Sequence, residues 1–259
     1  MLKPSAVAAI PAAGARALYL GGAAKKRVSC TDEALVVVND RQQTWRYPVA
    51  RVARVVSSTA VDWSGPALAL CLRRGIGIAW VDGRGEPLGA SYPQARGHCG
   101  FATALEVMTE AVGGLVRYQH WQRVRRMDVL VRWSQGQPDT FSPQQWEETK
   151  REWVYACEYT VHLPGPLRAL CLAYVGAQLS RHGLPPVLWG PQAQRIDLDD
   201  DLCELLWAEM NLHAGSLADA ATEEQSAAAL FERWNGRNAS TLMLHMHSLQ
   251  RTAMKALAA

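Results

Sequence analysis

The stretch Pro66-Ala-Leu-Ala-Leu-Cys-Leu-Arg-Arg-Gly-Ile-Gly-Ile-Ala-Trp-Val-Asp-Gly-Arg-Gly-Glu-Pro-Leu-Gly89 decides how the chain is read. Its first part places apolar residues at Leu68, Leu70, Cys71 and Leu72, with Ser64 ahead as a cap, Pro66 in the first turn and Gly75 as a stop. That spacing and punctuation predict a short helix over residues 64–74. Ile76 to Val81 then forms an apolar run of strand length, closed by the turn residues Asp82-Gly83-Arg84-Gly85. Upstream, Ala17–Leu20, Leu35–Val38, Thr44–Pro48 and Val52–Ser57 read as further short strands, and Asn39-Asp40 as the turn between two of them. Downstream, Ser91 to Gly100, with Pro93 and Gly97, reads as a linker.

Beyond Phe101 the periodicity becomes helical. Helices are predicted over Thr103–Met108 and Val116–Trp133. Another opens at Ser142-Pro143-Gln144-Gln145, a capping box with proline at the first helical position, and runs to about His162. Its stripe is Trp146, Lys150, Trp153, Cys157 and Val161. Further helices follow over Leu167–His182 with Gly183 as stop, Leu198–Leu212, Thr222–Trp234 and Ala239–Leu257, the last two split by Gly236. The fold class is therefore α+β: a β-rich N-terminal domain over 1–90, a linker over 91–100 and an all-α domain over 101–259.

At 259 residues the chain is long enough to bury sizeable cores, and 49% hydrophobic with 20% charged residues is an ordinary globular composition. A net charge of +3 excludes a histone-like polycation. The distribution says more. Arg117 to Arg132 holds five arginines (Arg117, Arg123, Arg125, Arg126, Arg132) against the single acid Asp128, whereas Asp197 to Glu224 holds nine acids and neither Lys nor Arg. One segment suits phosphates and the other cations, or both are solvated helix faces of opposite sign. The arginine helix also carries Trp121 and Trp133, which suits either base stacking or plain core packing. Near the C-terminus Leu242, Met246, Leu249 and Leu257 form a stripe expected to be core or a partner-binding face. The six scattered cysteines form no C-x-x-C pair, which argues against a zinc module or a disulfide framework and for reduced thiols in a cytoplasmic protein. No apolar run reaches the ~18–20 residues of a membrane span. The Ala-rich start, broken by Pro4 and Pro11, reads as a frayed terminus rather than a signal peptide.

The order of a strand, a short helix ending in Arg-Gly and an apolar strand ending in Asp-x-x-Gly, preceded by Leu18-Tyr19-Leu20 and Tyr47-Pro48-Val49-Ala50-Arg51-Val52, resembles the β-domain of CRISPR spacer-acquisition integrases. The resemblance implies a homodimer joined through the N-terminal domains, a small ferredoxin-like partner subunit, DNA as ligand, and metal-dependent strand transfer with Mg2+ or Mn2+. Such transfer needs a hard cation to neutralise developing charge and activate the attacking hydroxyl, and carboxylates are its preferred ligands. Arg195-Ile196-Asp197-Leu198-Asp199-Asp200-Asp201-Leu202-Cys203-Glu204 resembles the family's acidic stretch, so Asp201 and Glu204, three apart on one helix face, take the acidic places. Asp199 and Asp200 are read as complementing the helix dipole. Glu147 matches the family glutamate by its spacing to Tyr155; Glu148 remains an alternative through Arg151.

Two departures stand against catalysis. After Gly183-Leu184-Pro185-Pro186 the family histidine should fall at Pro191, Gln192 or Ala193, and none of these is histidine. Where the family has an asparagine opening a long helix, this chain has Arg168, and the stretch from Tyr155 to Gly183 is shorter than the family's. The resemblance thus leaves two expectations. One is an active integrase whose metal is held by Glu147, Asp201 and Glu204. The other is a catalytically silent DNA-binding scaffold or regulatory subunit. An unrelated module for RNA or protein is the third reading.

Overall fold

The structure, a computed structural model, describes residues 15–22, 24–93, 100–136, 141–157, 163, 165–189, 195–214 and 227–257. The chain divides into two compact units, residues 1–97 with 172–183, and residues 98–171 with 184–259.

The first unit is built on two four-stranded sheets. One sheet contains β1 (Arg16–Leu20), β5 (Val52–Ser58), β7 (Ile78–Val81) and β8 (Pro87–Ser91), in the order β1-β5-β7-β8; β5 pairs in parallel with β1 and β7, and β8 runs antiparallel to β7. The other contains β2 (Lys26–Cys30), β3 (Ala34–Asn39), β4 (Thr44–Pro48) and β6 (Val61–Trp63), in the order β4-β3-β2-β6. Alternation decides what points inward: Leu18 and Leu20 from β1, Leu35 and Val37 from β3, and Val28 from β2 are buried together with Val55 and Ile78. Central β5 is buried along most of its length, as a strand with parallel partners on both sides should be. Helix α1 (Gly65–Arg73) adds Ala67, Leu70 and Cys71 to the same core.

The predicted helix at residues 64–74 is present, with the Ser64 hydroxyl accepting from the Ala67 amide and Gly75 closing it at φ 76°. The β3–β4 hairpin turns at Asn39-Asp40, as its residues predict. Three strands escaped the sequence reading. β2 is polar apart from Val28, β6 has only three residues, and β8 holds Pro87 and Gly89, which weaken a strand pattern. Of the expected linker, residues 94–99 lie outside the described residues.

The second half of a later helix belongs to this first unit. There Gly77 and Gly176 flank the Tyr92 ring; a Cβ on Gly176 would meet the Tyr92 hydroxyl at 2.0 Å and one on Gly77 the ring at 2.9 Å. The two glycines are what lets this ring sit against the backbone. Buried Arg54 lies 5.2 Å from the Tyr174 ring centroid, over its face.

The second unit is helical: α2 (Gly100–Glu110), α3 (Gly114–Gln135), α4 (Pro143–Lys150), the first part of α5 (Gly165–Arg181), α6 (Leu198–Leu212) and α7 (Ala227–Leu257). The α+β class read from the sequence is the class observed. Helix α4 starts with the predicted capping box, both of whose bonds form between Ser142 and Gln145. It then widens into a π-helical turn over Arg151–Ala156 and stops at Cys157, whose φ of 58° is left-handed. The wider turn rotates the predicted stripe out of register, so Val154 is the buried residue there and Cys157 is exposed. Val161 and the rest of residues 158–162 lie outside the described residues. The last two predicted helices are one element, kinked at Asn238 (φ −118°, ψ 21°) instead of Gly236; residues 222–226 lie outside the described residues. Leu242, Met246 and Leu249 are buried, which makes that stripe core. No helix among the described residues is long and apolar enough to cross a membrane.

Candidate functional site

The helical unit brings charged residues from α3, α5 and α6 into contact, and the pairing is specific. Acidic residues in the first turn of α6 stabilise it through the helix dipole. That alone does not fix the side chains of α6; two partners from other helices do.

The first partner is Tyr118 on α3. Its ring is buried beside Trp121, at a centroid distance of 5.5 Å, and its hydroxyl donates to Asp201 Oδ2 at 2.8 Å. Burial pushes the Tyr118 hydroxyl well above the usual phenol range, and the Asp201 charge adds to this. Burial also raises the Asp201 carboxyl; the Tyr118 hydrogen bond opposes that, while the neighbouring Asp197 and Asp200 reinforce it. Asp201 is therefore a desolvated carboxylate whose lone pairs already have a donor.

The second partner is Arg168 on α5. Its Nε and Nη2 both donate to Glu204 Oε1, at 3.0 and 2.6 Å, and Nη2 reaches Asp200 Oδ1 at 2.6 Å. Burial works against the guanidinium charge, but the Glu204 hydrogen bond and the charges of Glu204 and Asp200 prevail and hold its pKa above the ordinary arginine value. Asp200, read from the sequence as a dipole residue only, thus has an ion-pair partner as well. Sequence reading treated Arg168 as a departure from the family and missed this role. The signal was present: Arg168 is the single charged residue between Leu163 and Ser180, and a lone charge in an apolar helix has to find a counter-charge.

Glu147 lies well outside the core, its side chain 65% exposed, and pairs with Lys150 at 2.5 Å, an i,i+3 contact along its own helix. Glu148 accepts from Gln144 at 3.1 Å. The structure places Asp201 and Glu204 one turn apart on α6, but among the described residues no three of His, Cys, Asp and Glu gather into a cluster able to hold a metal ion. The expected histidine place, Pro191 to Ala193, lies outside the described residues.

The arginine helix α3 divides in two. Its buried side carries Tyr118, Trp121, Val129 and Leu130. Arg125 lies toward that side and forms an ion pair with Asp128, and Arg132 pairs with buried Glu209 at 3.4 Å. Burial raises the Glu209 carboxyl, with Arg132 opposing. His245 of α7 is buried too; burial first, then the charges of Arg125 and Arg132, push its imidazole down to about 3. Arg125 and Arg132 are thus engaged by carboxylates of the protein itself. Arg117 and Arg123 are exposed and Arg126 half-exposed, and among the described residues none of the three forms an ion pair. Trp121 is core, while Trp133 stacks toward Phe141 at a centroid distance of 5.4 Å.

Residues 22–105 match the sequence model of the family described as CRISPR associated protein Cas1. No curated protein matches the chain. Among solved structures, the fold is similar to that of a CAS1 protein from Thermotoga maritima, with 13% identity over 92% of this chain and 97% of that one and a TM-score of 0.71. It is also similar to the crystal structure of TtCas1, with 13% identity over 92% of this chain and 97% of that one and a TM-score of 0.58. A casposase bound to its integration product matches with 10% identity over 94% of this chain and 91% of that one and a TM-score of 0.62. At such identities the likeness establishes the fold. The family match in the N-terminal residues and the shared fold along nearly the whole chain bear out the resemblance drawn from the sequence.

Proposed function

We propose that this Cas1-like chain is a DNA-binding scaffold of spacer acquisition in which an internal arginine stands where the family's active members would bind a divalent metal. The observation that carries this reading is Arg168, whose guanidinium takes Glu204 through two bonds and Asp200 through a third. A guanidinium fork satisfies carboxylate lone pairs by hydrogen bonding and leaves them poor donors for Mg2+ or Mn2+. The remaining donors do not compensate: Asp201 holds the Tyr118 hydroxyl, and Glu147 is paired with Lys150 at the surface. The donors among the described residues do not fit a divalent ion.

DNA binding is supported by the outward arginines Arg117, Arg123 and Arg126 on α3, and by a relative of the same fold that is bound to an integration product. Within such an assembly this chain contributes the fold and a phosphate-binding surface, through self-association or beside an active subunit.

The test is strand transfer of a labelled short duplex into a supercoiled repeat-bearing plasmid, with Mn2+ or Mg2+, run beside duplex binding at several salt concentrations. The expected outcome is binding that weakens steeply with salt and no joined product. Metal-dependent product that disappears in Asp201→Ala would overturn the scaffold reading and restore the active integrase. Absence of any DNA binding would remove the nucleic-acid reading altogether.

A further inference from the structure

The last helix carries a second charged surface that the sequence patterning did not single out. From Asn235 to the C-terminus the chain contains no Asp or Glu. In α7 the residues Leu242, His245, Met246, Leu249 and Ala253 are buried, which turns the opposite side outward. Beyond the kink that outward side presents Leu244, His247, Arg251, Met254 and Lys255, all exposed and spaced at helical intervals of three and four, and Arg237, just before the kink, is exposed as well. Among the described residues, none of Arg237, Arg251 and Lys255 forms an ion pair.

We infer that this outward face of α7 is a phosphate-contacting surface for duplex DNA, additional to the outward arginines of α3. The inference rests on the DNA-binding reading above and says where part of that binding occurs. Charge is the first argument. A duplex carries one negative charge per ~1.7 Å of axis, so the roughly 12 Å between His247 and Lys255 lies opposite about seven phosphates. A face with donors and no acid meets that ladder without a like-charge penalty. The helix dipole does not account for the pattern, because its influence is confined to the last turn and only Lys255 lies there. The apolar residues argue against a protein partner as the occupant. Leu244 and Met254 stand about 15 Å apart along the helix, as single apolar side chains and not as a contiguous patch. The contrast with α3 is informative: two of its five arginines are paired with carboxylates of the protein, whereas among the described residues Arg237, Arg251 and Lys255 are not.

The experiment measures binding of the full chain to a fluorescein-labelled duplex by anisotropy between 50 and 200 mM salt. The variant carries Arg237→Gln, Arg251→Gln and Lys255→Gln. A charge-matched control carries Arg41→Gln, Arg46→Gln and Arg51→Gln, all exposed in the first unit. If three phosphate contacts are lost, the slope of log affinity against log salt becomes shallower by about 3, with affinity at 100 mM reduced at least ~10-fold, while the control keeps the wild-type slope. An unchanged slope in the α7 variant, or an equal loss in the control, overturns the inference while leaving DNA binding itself in place. A wild type that does not bind duplex removes the functional reading and this inference with it. Circular dichroism melts accompany each protein; since all six substitutions are at exposed positions, unchanged melting is expected.

Discussion

The two units store polar groups differently. In the strand unit the centre is mostly apolar: Val28, Leu35, Val55 and Ile78 are fully buried, the sheet hydrogen bonds satisfy the backbone around them, and the buried charge of Arg54 is met by the face of the Tyr174 ring. In the helical unit the helices close over charges. Asp201, Glu204 and Glu209 each receive a donor from another helix, and His245 is buried against two arginines. The difference follows from the backbone. A sheet shares its hydrogen bonds between strands and leaves alternate side chains free to be uniformly apolar. A helix satisfies its own backbone, so packed helices tolerate side-chain ion pairs between them so long as each charge is met. The first kind of core is specified by hydrophobicity and the second also by who pairs with whom.

Four substitutions put that contrast to work, from the largest effect down. Leu35→Ala empties a position with no exposed surface between the sheets and should cost about 2–5 kcal/mol. Urea denaturation reads it, and a loss below ~1 kcal/mol would mean the strand unit is not held by a tightly packed core.

His245→Leu tests the charged core through pH. Burial, with the charges of Arg125 and Arg132, pushes the folded imidazole down to about 3 from the ordinary histidine value of 6.5. Between those values the unfolded chain holds a proton that the folded chain does not, so wild-type stability falls as pH drops from about 6.5 toward 3. The fall amounts to at most about 1.4 kcal/mol per pH unit. Above pH 6.5 both states are neutral at this site and it contributes no slope. Stability curves of wild type and His245→Leu should converge or cross on acidification, the variant having the flatter curve; parallel curves would show that His245 is protonated freely in the folded state.

Arg168→Gln keeps some hydrogen bonding but removes the cation between Asp200 and Glu204. With about a third of the arginine side chain exposed, solvent screens part of the loss, and about 1–2 kcal/mol is expected. The variant should recover stability on addition of Mn2+, because two neighbouring carboxylates then lack a counter-charge. Failure of millimolar Mn2+ to raise its melting temperature above that of the wild type would argue that Arg168 does not stand in for a metal. Glu147→Gln, at the surface, is expected to move stability by less than ~0.5 kcal/mol. A large effect on DNA joining from that variant would instead place Glu147 in chemistry.

The same contrast explains what was legible beforehand. The helix at α1, the hairpin at Asn39-Asp40 and the bounds of α6 were readable because each is written in neighbouring residues: a cap, a turn pair, a period. β2 was not, since a single buried valine among Lys26, Arg27, Ser29 and Cys30 carries no period. The widened turn after Lys150 was not legible either, because a π-helical turn has no local sequence signature and displaces every later side chain by part of a turn.

Of the acidic site, the sequence by itself determined that Asp201 and Glu204 share a helix face, since a spacing of three is a local fact. It also determined the α+β order of the elements, which hydrophobic periodicity fixes segment by segment. Only the tertiary structure decided that Arg168 reaches Glu204 across 36 residues and that Tyr118 reaches Asp201 across 83. It also decided that Arg125 and Arg132 are paired with carboxylates while Arg117 and Arg123 face water. The physical reason is that the strength of a charge's interactions depends on its desolvation and on what lies within a few ångströms, and both quantities exist only once the helices have packed.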